Sequence, residues 1–174
     1  MTAYVALLRA VNVGGTGKLP MEALRAMCAA AGFANARTYI ASGNVVFEAR
    51  DAEAKVKATL EAALAAYAGK PAGVMVRTAA QMAAVLAANP FAGHPGNRVM
   101  AIFLDAAPPA DLGVTHQGDD EEVTPGKREI YARYGAGMGQ SKLRIAAART
   151  GTARNMNTVA KLAAMAAERI DSKL

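Results

Sequence analysis

The sequence predicts an α+β fold with two ferredoxin-like (split β-α-β) subdomains, of which the second is less complete. Two observations support this class. Residues 1–78 carry apolar and helical patterns in the order strand, helix, strand, strand, helix, strand, and this is the order of a split β-α-β unit. Residues 79–174 repeat strand and helix patterns in a looser order and end in basic helices. We therefore predict one subdomain at 1–78 and a second α+β subdomain at 79–174.

The first subdomain supplies the clearest patterns. Apolar runs predict four strands, which we expect in one sheet, at Tyr4–Arg9, Arg37–Ile40, Val45–Glu48 and Val74–Arg77. A helix is predicted from Pro20 to about Ala31, because proline is favoured at a helix start. Asp51 is predicted to cap a second helix, in which Val56, Leu60 and Leu64 recur at helical spacing.

The second subdomain is predicted less regularly. Thr78 is predicted to cap a third helix that ends before Asn89. Strands are then predicted at 98–105 and 129–134, and a short helix at 108–115. The glycine-rich segment "GAGMGQSKL", residues 135–143, is predicted to open another helix, and a last helix begins near Asn155.

The composition points to an anionic partner. The 174 residues carry a formal charge of +6, with a pI near 9.7. The excess is concentrated between Gly126 and Leu174, where ten basic residues face three acidic ones. Such a balance suits a phosphorylated small molecule, a nucleotide or nucleic acid. The single cysteine, Cys28, excludes an internal disulfide, and together with the lack of a long apolar stretch it predicts a cytoplasmic protein without a membrane partner.

The segment "NVGGTGKL", residues 12–19, resembles a phosphate-binding loop only in part. A Walker loop reads G-x-x-x-x-G-K-[ST]. Gly17 and Lys18 match its end, whereas Asn12 replaces the first glycine and Leu19 replaces the hydroxyl that holds magnesium. We therefore predict no magnesium-dependent hydrolysis of ATP or GTP.

The same loop can still bind an anion in another way. Backbone N–H groups at Gly14 and Gly15 can form a concave nest, to which Lys18 adds charge and Asn12 a turn cap. The alternative is a tight strand-to-helix turn that needs positive φ at the glycines. The loop by itself does not decide between the two.

A second group of polar and basic residues lies late in the chain. Ser141 and Lys142 follow the second glycine-rich segment, and more polar residues surround the start of the last helix. The predicted ligand-binding residues are Asn12, Gly14, Gly15, Lys18, Ser141, Lys142, Arg154, Asn155, Asn157 and Lys161. We expect the last four to be at least partly exposed beside the Ser141–Lys142 loop, as a basic concave patch. No catalytic residue, cofactor or metal site is predicted, since His94 and His116 lack metal-ligand spacing.

Four stretches carry a family resemblance: "YVALLRAVNVGGTGKLPMEALRAM", "GFANARTYIASGNVVFEA", "ANPF" and "GMGQSKL…TARNMNTVAKL". In order and spacing they resemble the bacterial domain-of-unknown-function family 1697, over nearly the whole chain. Ala10 and Val11 replace the Gly-Ile of that family's usual opening. Met156 stands where the family more often has Trp, and Ala153 replaces a Thr. The resemblance implies a two-subdomain α+β fold and assigns no activity, cofactor or catalytic residue.

Three function classes therefore stay open. The first is a module that binds an anionic ligand through glycine-rich loops and basic helix N-termini. The second is an enzyme that acts on a small phosphorylated or carboxylated substrate at the same site. The third is a homodimeric scaffold without a ligand. For nucleic acid, Tyr4 and Phe47 are the aromatic residues that a sheet surface would use for stacking on bases.

Overall fold

The structure, a computed structural model, describes residues 1–9, 19–40 and 43–171. These residues form a mixed α/β fold with four α-helices and antiparallel sheets. The chain divides into two compact units. Unit 1 contains Met1–Met82 and the chain from Leu162 onward, and unit 2 contains Ala83–Lys161.

Unit 1 is built on a four-stranded antiparallel sheet. Its elements are β1 (Thr2–Leu8), α1 (Met21–Ala30), β2 (Ala34–Thr38), β3 (Asn44–Ala49), α2 (Glu53–Ala68) and β4 (Val74–Thr78). The strand order is β2-β3-β1-β4. The four predicted strands therefore do share one sheet, although β2 begins and ends earlier than expected.

The core of unit 1 lies between this sheet and its two helices. Tyr4, Ala6 and Leu8 alternate along β1 and pack with Leu24 of α1 and Leu60 of α2. This alternation is the period-two pattern of a strand. Burial of these side chains is the main force that holds the helices on the sheet, at about 25 cal/mol per Å² of apolar area removed from water.

The aromatic residues of the sheet are part of this core. Tyr4 and Phe47 are 4% and 0% exposed, and the Phe47 ring stacks on that of Phe33 with centroids 4.7 Å apart. The opposite face of the sheet is also covered, since Val5 and Arg77 are buried. Neither face therefore offers an aromatic surface for nucleic-acid bases.

Unit 2 contains a second sheet of the same kind. The remaining elements are α3 (Ala79–Ala87), β5 (Val99–Phe103), β6 (Val114–Thr115), β7 (Glu122–Pro125), β8 (Glu129–Arg133), β9 (Arg144–Ile145), β10 (Thr152–Asn155) and α4 (Met156–Asp171). The sheet order is β10-β5-β8-β7, and β6 pairs with β9. In each four-stranded sheet the order along the sheet is the fourth, first, third and second strand in sequence, with antiparallel neighbours.

The two sheets differ in what connects their strands. In unit 1, α1 joins β1 to β2 and α2 joins β3 to β4. In unit 2, the segments from β5 to β7 and from β8 to β10 contain only β6, β9 and short 3-10 turns. The helix predicted over 108–115 is therefore wrong, because this segment contains β6. Pro108 and Pro109 remove backbone donors, and Gly113 has a positive φ of 65°.

The helix predicted to open at the glycine-rich segment 135–143 is also wrong. That segment holds only a three-residue 3-10 turn at Met138–Gln140. Each glycine within a helix costs roughly 1 kcal/mol relative to alanine, and three glycines fall within five residues here, at 135, 137 and 139. No helix-forming run separates them.

Two predicted helix caps had different outcomes. At α3, the Gln81 N–H donates to Thr78 Oγ1 at 3.2 Å, and the Thr78 N–H donates to Gln81 Oε1 at 2.8 Å. This reciprocal pair is a capping box. At α2, Ala52 is the N-cap residue and has no side-chain bond, while Asp51 forms an ion pair with Lys55. Among the described helices, none has the length and apolar character needed to cross a membrane.

Candidate ligand-binding cleft

The candidate site lies on one face of the second sheet, where irregular segments rather than helices connect the strands. The opposite face is closed, with Val99, Ala101 and Phe103 fully buried. On the candidate face, Ile102 and Ile130 pack under apolar side chains of the two connecting segments. These side chains are Leu112, Tyr134, Leu143, Ile145, Ala147 and Ala148.

This cover leaves a cleft of about 220 Å³ beside β5 and β10. Its lining is Met100 and Ile102 of β5, Ala153 of β10, and Tyr134, Met138, Ser141 and Leu143 of the segment after β8. Ala153 and Ile102 are cross-strand partners, so they form a continuous apolar floor. The two methionines can adapt to the shape of a bound group, because their unbranched side chains repack easily.

The polar end of the cleft is organised by Glu121. This carboxylate is 7% exposed and accepts a hydrogen bond from the Ser141 hydroxyl through Oε2. Its Oε1 accepts the Gly118 N–H at 2.7 Å. Ser141 Oγ in turn accepts the Leu143 N–H at 3.1 Å. Both oxygens of the buried carboxylate are thus satisfied, as a buried charge requires.

Tyr134 also lines the cleft. Burial raises the pKa of the Tyr134 phenol, and the negative charge of Glu121 raises it further. The phenol is therefore protonated and uncharged at neutral pH. Among the described residues, no group of three or more His, Cys, Asp or Glu side chains could hold a metal ion.

The first predicted binding loop cannot be compared with this geometry. Asn12, Gly14, Gly15 and Lys18 lie outside the described residues. Their role in binding an anion stays a prediction.

Of the later predicted residues, the structure places Ser141 in the cleft. Lys142 lies between two lining residues and is exposed, and Arg144 of β9 is exposed as well. Neither forms an ion pair with a carboxylate in the described part of the chain. Two other cations are also adjacent in sequence to lining residues, but Arg133 pairs with Glu122 and Arg154 is buried.

The expectation that Arg154 is exposed is wrong. Arg154 is 7% exposed, and its Nη1 donates to Thr152 Oγ1 at 2.8 Å and to the Ala153 carbonyl at 2.9 Å. The reason is strand alternation, because Ala153 takes the cleft face of β10 and its neighbours take the closed face. Burial lowers the pKa of the Arg154 guanidinium.

Of the other predicted residues at the start of α4, Asn155 and Asn157 contact other parts of the protein and Lys161 is exposed. Asn155 Oδ1 accepts the Thr158 N–H at 2.9 Å and so caps α4. Asn157 packs on Gly96, where an added Cβ would lie 2.2 Å from Asn157 Oδ1. Lys161 is exposed one turn further along α4.

Sequence reasoning missed the residues that shape the cleft. Glu121 lies in the acidic run of residues 119–122, a composition typical of a solvated loop or a weak cation patch, and Met100, Tyr134 and Met138 carry no motif. One signal was present: Tyr134 precedes Gly135, and Met138 lies between Gly137 and Gly139, where glycines allow a close approach of the backbone.

A family model described as a protein of unknown function, DUF1697, matches residues 1–131. The chain belongs to this family. The matched part of the DUF1697 chain includes β1 to β7 and the start of β8, with Met100, Ile102 and Glu121, whereas the other cleft residues lie beyond it.

A solved structure resembles the DUF1697 chain in fold. The conserved bacterial protein SP0830 from Streptococcus pneumoniae is 22% identical, with a TM-score of 0.76, over 95% of this chain and 98% of the other. At this identity the likeness shows the fold alone. No curated protein matches the sequence.

Proposed function

We propose that this DUF1697 protein binds a small anionic ligand in the cleft of unit 2. The ligand's apolar ring or short chain lies on the floor formed by β5 and β10. Its phosphate or carboxylate lies outside, toward Lys142 and Arg144. The observation that carries the proposal is a largely apolar cleft whose lining includes Ser141 and Leu143. Lys142 and Arg144, on the same segment, are exposed and form no ion pair in the described part of the chain.

The size of the cleft limits the ligand. Pockets that enclose drug-sized ligands measure roughly 300–1,000 Å³, and this one measures about 220 Å³. One ring system fits such a volume, whereas a whole nucleotide does not. A phosphorylated aromatic compound, or a nucleotide with only its base inserted, agrees with both the volume and the excess of basic residues.

Burial of Tyr4 and Phe47 favours a small molecule over nucleic acid. Without those rings the first sheet lacks the stacking surface that single-stranded recognition uses. Binding of nucleic-acid phosphates by Lys142 and Arg144 is a possible result of the titration described next, which includes single-stranded DNA.

The test is calorimetric titration with phenyl phosphate, AMP, inorganic phosphate and a short single-stranded DNA. We expect phenyl phosphate and AMP to bind and inorganic phosphate to bind more weakly, because it lacks the apolar part. Lys142→Ala and Arg144→Ala should each weaken binding about two- to fivefold, as loss of an exposed charge pair does. Lys70→Ala, an exposed cation in unit 1, is the matched control. Equal binding by all four proteins, or none by the parent, contradicts the proposal.

One observation favours the enzyme alternative. Glu121 is a buried carboxylate hydrogen-bonded to a hydroxyl that lines the cleft, and a carboxylate in that position is a candidate general base. Chromatography of AMP or phenyl phosphate after long incubation tests this class. Turnover that Glu121→Gln abolishes would favour an enzyme, and unchanged compounds would favour a binding protein.

Sedimentation of the same sample tests the third class, the homodimeric scaffold.

We also propose that the two units are ferredoxin-like, the second with its helices replaced by irregular segments. The shared strand order supports this interpretation, as do α1 and α2 between the strands of unit 1. The division of the sequence at residue 78 into two subdomains stays a prediction.

A further inference from the structure

We infer that the polar end of the cleft selects a ligand that carries a hydrogen-bond donor, an amino or hydroxyl group, at the end opposite its anion. This inference rests on the proposed function and names the ligand class more closely. Its starting point is the state of the Ser141 hydroxyl.

Glu121 fixes the direction of the Ser141 hydroxyl. A serine hydroxyl has one proton to donate and two lone pairs that accept. The proton is directed at Glu121 Oε2, and one lone pair takes the Leu143 N–H. In this bond the Ser141 hydroxyl is the donor and Glu121 is the acceptor. Ser141 therefore presents one lone pair to the cleft and no donor.

The charge of Glu121 acts in the same direction. It lies close enough to Tyr134 to raise the pKa of the phenol, and Tyr134 and Ser141 both line the cleft. A ligand's own anion at this end would meet the negative field of a carboxylate that is 7% exposed. A donor such as an aromatic amine would instead meet a lone pair and a favourable field. The anion therefore points outward, toward Lys142 and Arg144.

The ligand that fits these features has a single ring with a donor at one end and a phosphate at the other. Three probes of similar size test it: 4-aminophenyl phosphate, phenyl phosphate and 4-nitrophenyl phosphate. They place a donor, nothing or an acceptor at the end opposite the phosphate. We expect the amino compound to bind about fivefold more tightly than the nitro compound, the effect of one net hydrogen bond.

The variants distinguish the preference for the amino compound from binding of any aryl phosphate in the cleft. Ser141→Ala removes the lone pair, so the preference for the amino compound should disappear while phenyl phosphate still binds. In Glu121→Gln the amide can donate to Ser141, which frees the hydroxyl proton. That variant should bind the nitro compound as well as, or better than, the amino compound. Asp119→Asn changes an exposed carboxylate of the same loop and should leave the preference unchanged.

The outcomes distinguish the two proposals. If no aryl phosphate binds the parent, the proposed function fails and the inference with it. If all three bind the parent equally, the proposed function stands and the inference is overturned. A preference for the amino compound that survives in both Ser141→Ala and Glu121→Gln also overturns it, because the selectivity then comes from elsewhere in the cleft.

Discussion

Cys28 shows how fully a single side chain can be withdrawn from solvent. It lies on α1 and is 0% exposed within the core of unit 1. Burial raises the pKa of its thiol from 9.0 to about 12. The thiolate is the reactive form of cysteine, so this position indicates a packing role and argues against a nucleophile.

We expect Cys28 to be inert to an aromatic disulfide reagent at pH 8 in the folded protein and to react at once in denaturant. Because the chain has one cysteine, the absorbance of the released thiolate reports on this residue alone. The raised pKa also has a stability consequence. The contribution of the protonated thiol is complete below pH 9 and declines as the pH rises toward 12. Fast native-state labelling at pH 8 would contradict both statements.

Arg154 is the second residue whose environment decides its role. We expect Arg154→Ala to lower the free energy of unfolding by about 2–4 kcal/mol, because it leaves a cavity and removes the donor to Thr152 and the Ala153 carbonyl. Arg154→Met, which fills most of the volume, should cost less than half as much. Urea denaturation measures both. The exposed Lys161→Ala is the control, with a change within about 0.5 kcal/mol; a similarly small change for Arg154→Ala would show that its burial contributes little.

At the scale of elements, the start of α4 depends on one side chain. Asn155→Ala should lower stability by about 1 kcal/mol, because the Thr158 N–H loses its acceptor. Asn155→Asp keeps an acceptor and should be close to neutral. Thermal unfolding of the two variants checks the expectation. If the alanine and aspartate variants have the same midpoint, Asn155 does not act as a cap.

The elements of unit 1 were largely predictable, and the reason is local. Tyr4 to Leu8 is an apolar run of strand length, and Val45 to Phe47 is a second apolar run that follows the turn residues Gly43 and Asn44. Pro20 and Gly32 bound α1. The period of the apolar residues and the residues that start and stop an element together predict whether it is a strand or a helix. They do not fix which face of a two-sided strand meets the helices, so the burial of Tyr4 and Phe47 in one core required the tertiary structure.

The connecting segments of unit 2 were not predictable in the same way. Residues 135–143 contain glycines followed by Ser141 and Lys142, a pattern that resembles a glycine loop at a helix start. Backbone entropy at the three glycines opposes it. Burial of Glu121 was equally hidden, because the contact with Ser141 spans 20 residues and no local pattern encodes it.

At the scale of the whole molecule, α4 connects distant parts of the sequence. The helix begins in unit 2 and its residues from Leu162 onward belong to unit 1. Leu162, Met165 and Ala166 are buried, and Glu168 pairs with Arg37 of β2 at 3.2 Å.

We expect Leu162→Ala to destabilise the protein by about 2–5 kcal/mol, the range for a fully buried leucine. The effect should reach β1, more than 150 residues away in sequence. Amide hydrogen exchange is the measurement, with loss of protection in β1 as the expected result. Ala167→Ser, at an exposed position of α4, is the control. Unchanged protection of β1 would show that this part of α4 does not support unit 1.

The outer edge of the first sheet has a consequence for how the protein behaves in concentrated solution. The Val74 carbonyl accepts a bond from Lys57 Nζ at 2.6 Å, and the Val74 N–H donates to Glu61 at 3.4 Å. Lys57 and Glu61 also pair with each other. An unpaired strand edge is a template on which other chains polymerise into fibrils. Because one ion pair on α2 occupies both backbone groups of Val74, this position of the β4 edge cannot pair with a strand of another chain. The helix that completes the core therefore also limits aggregation at the edge of the sheet.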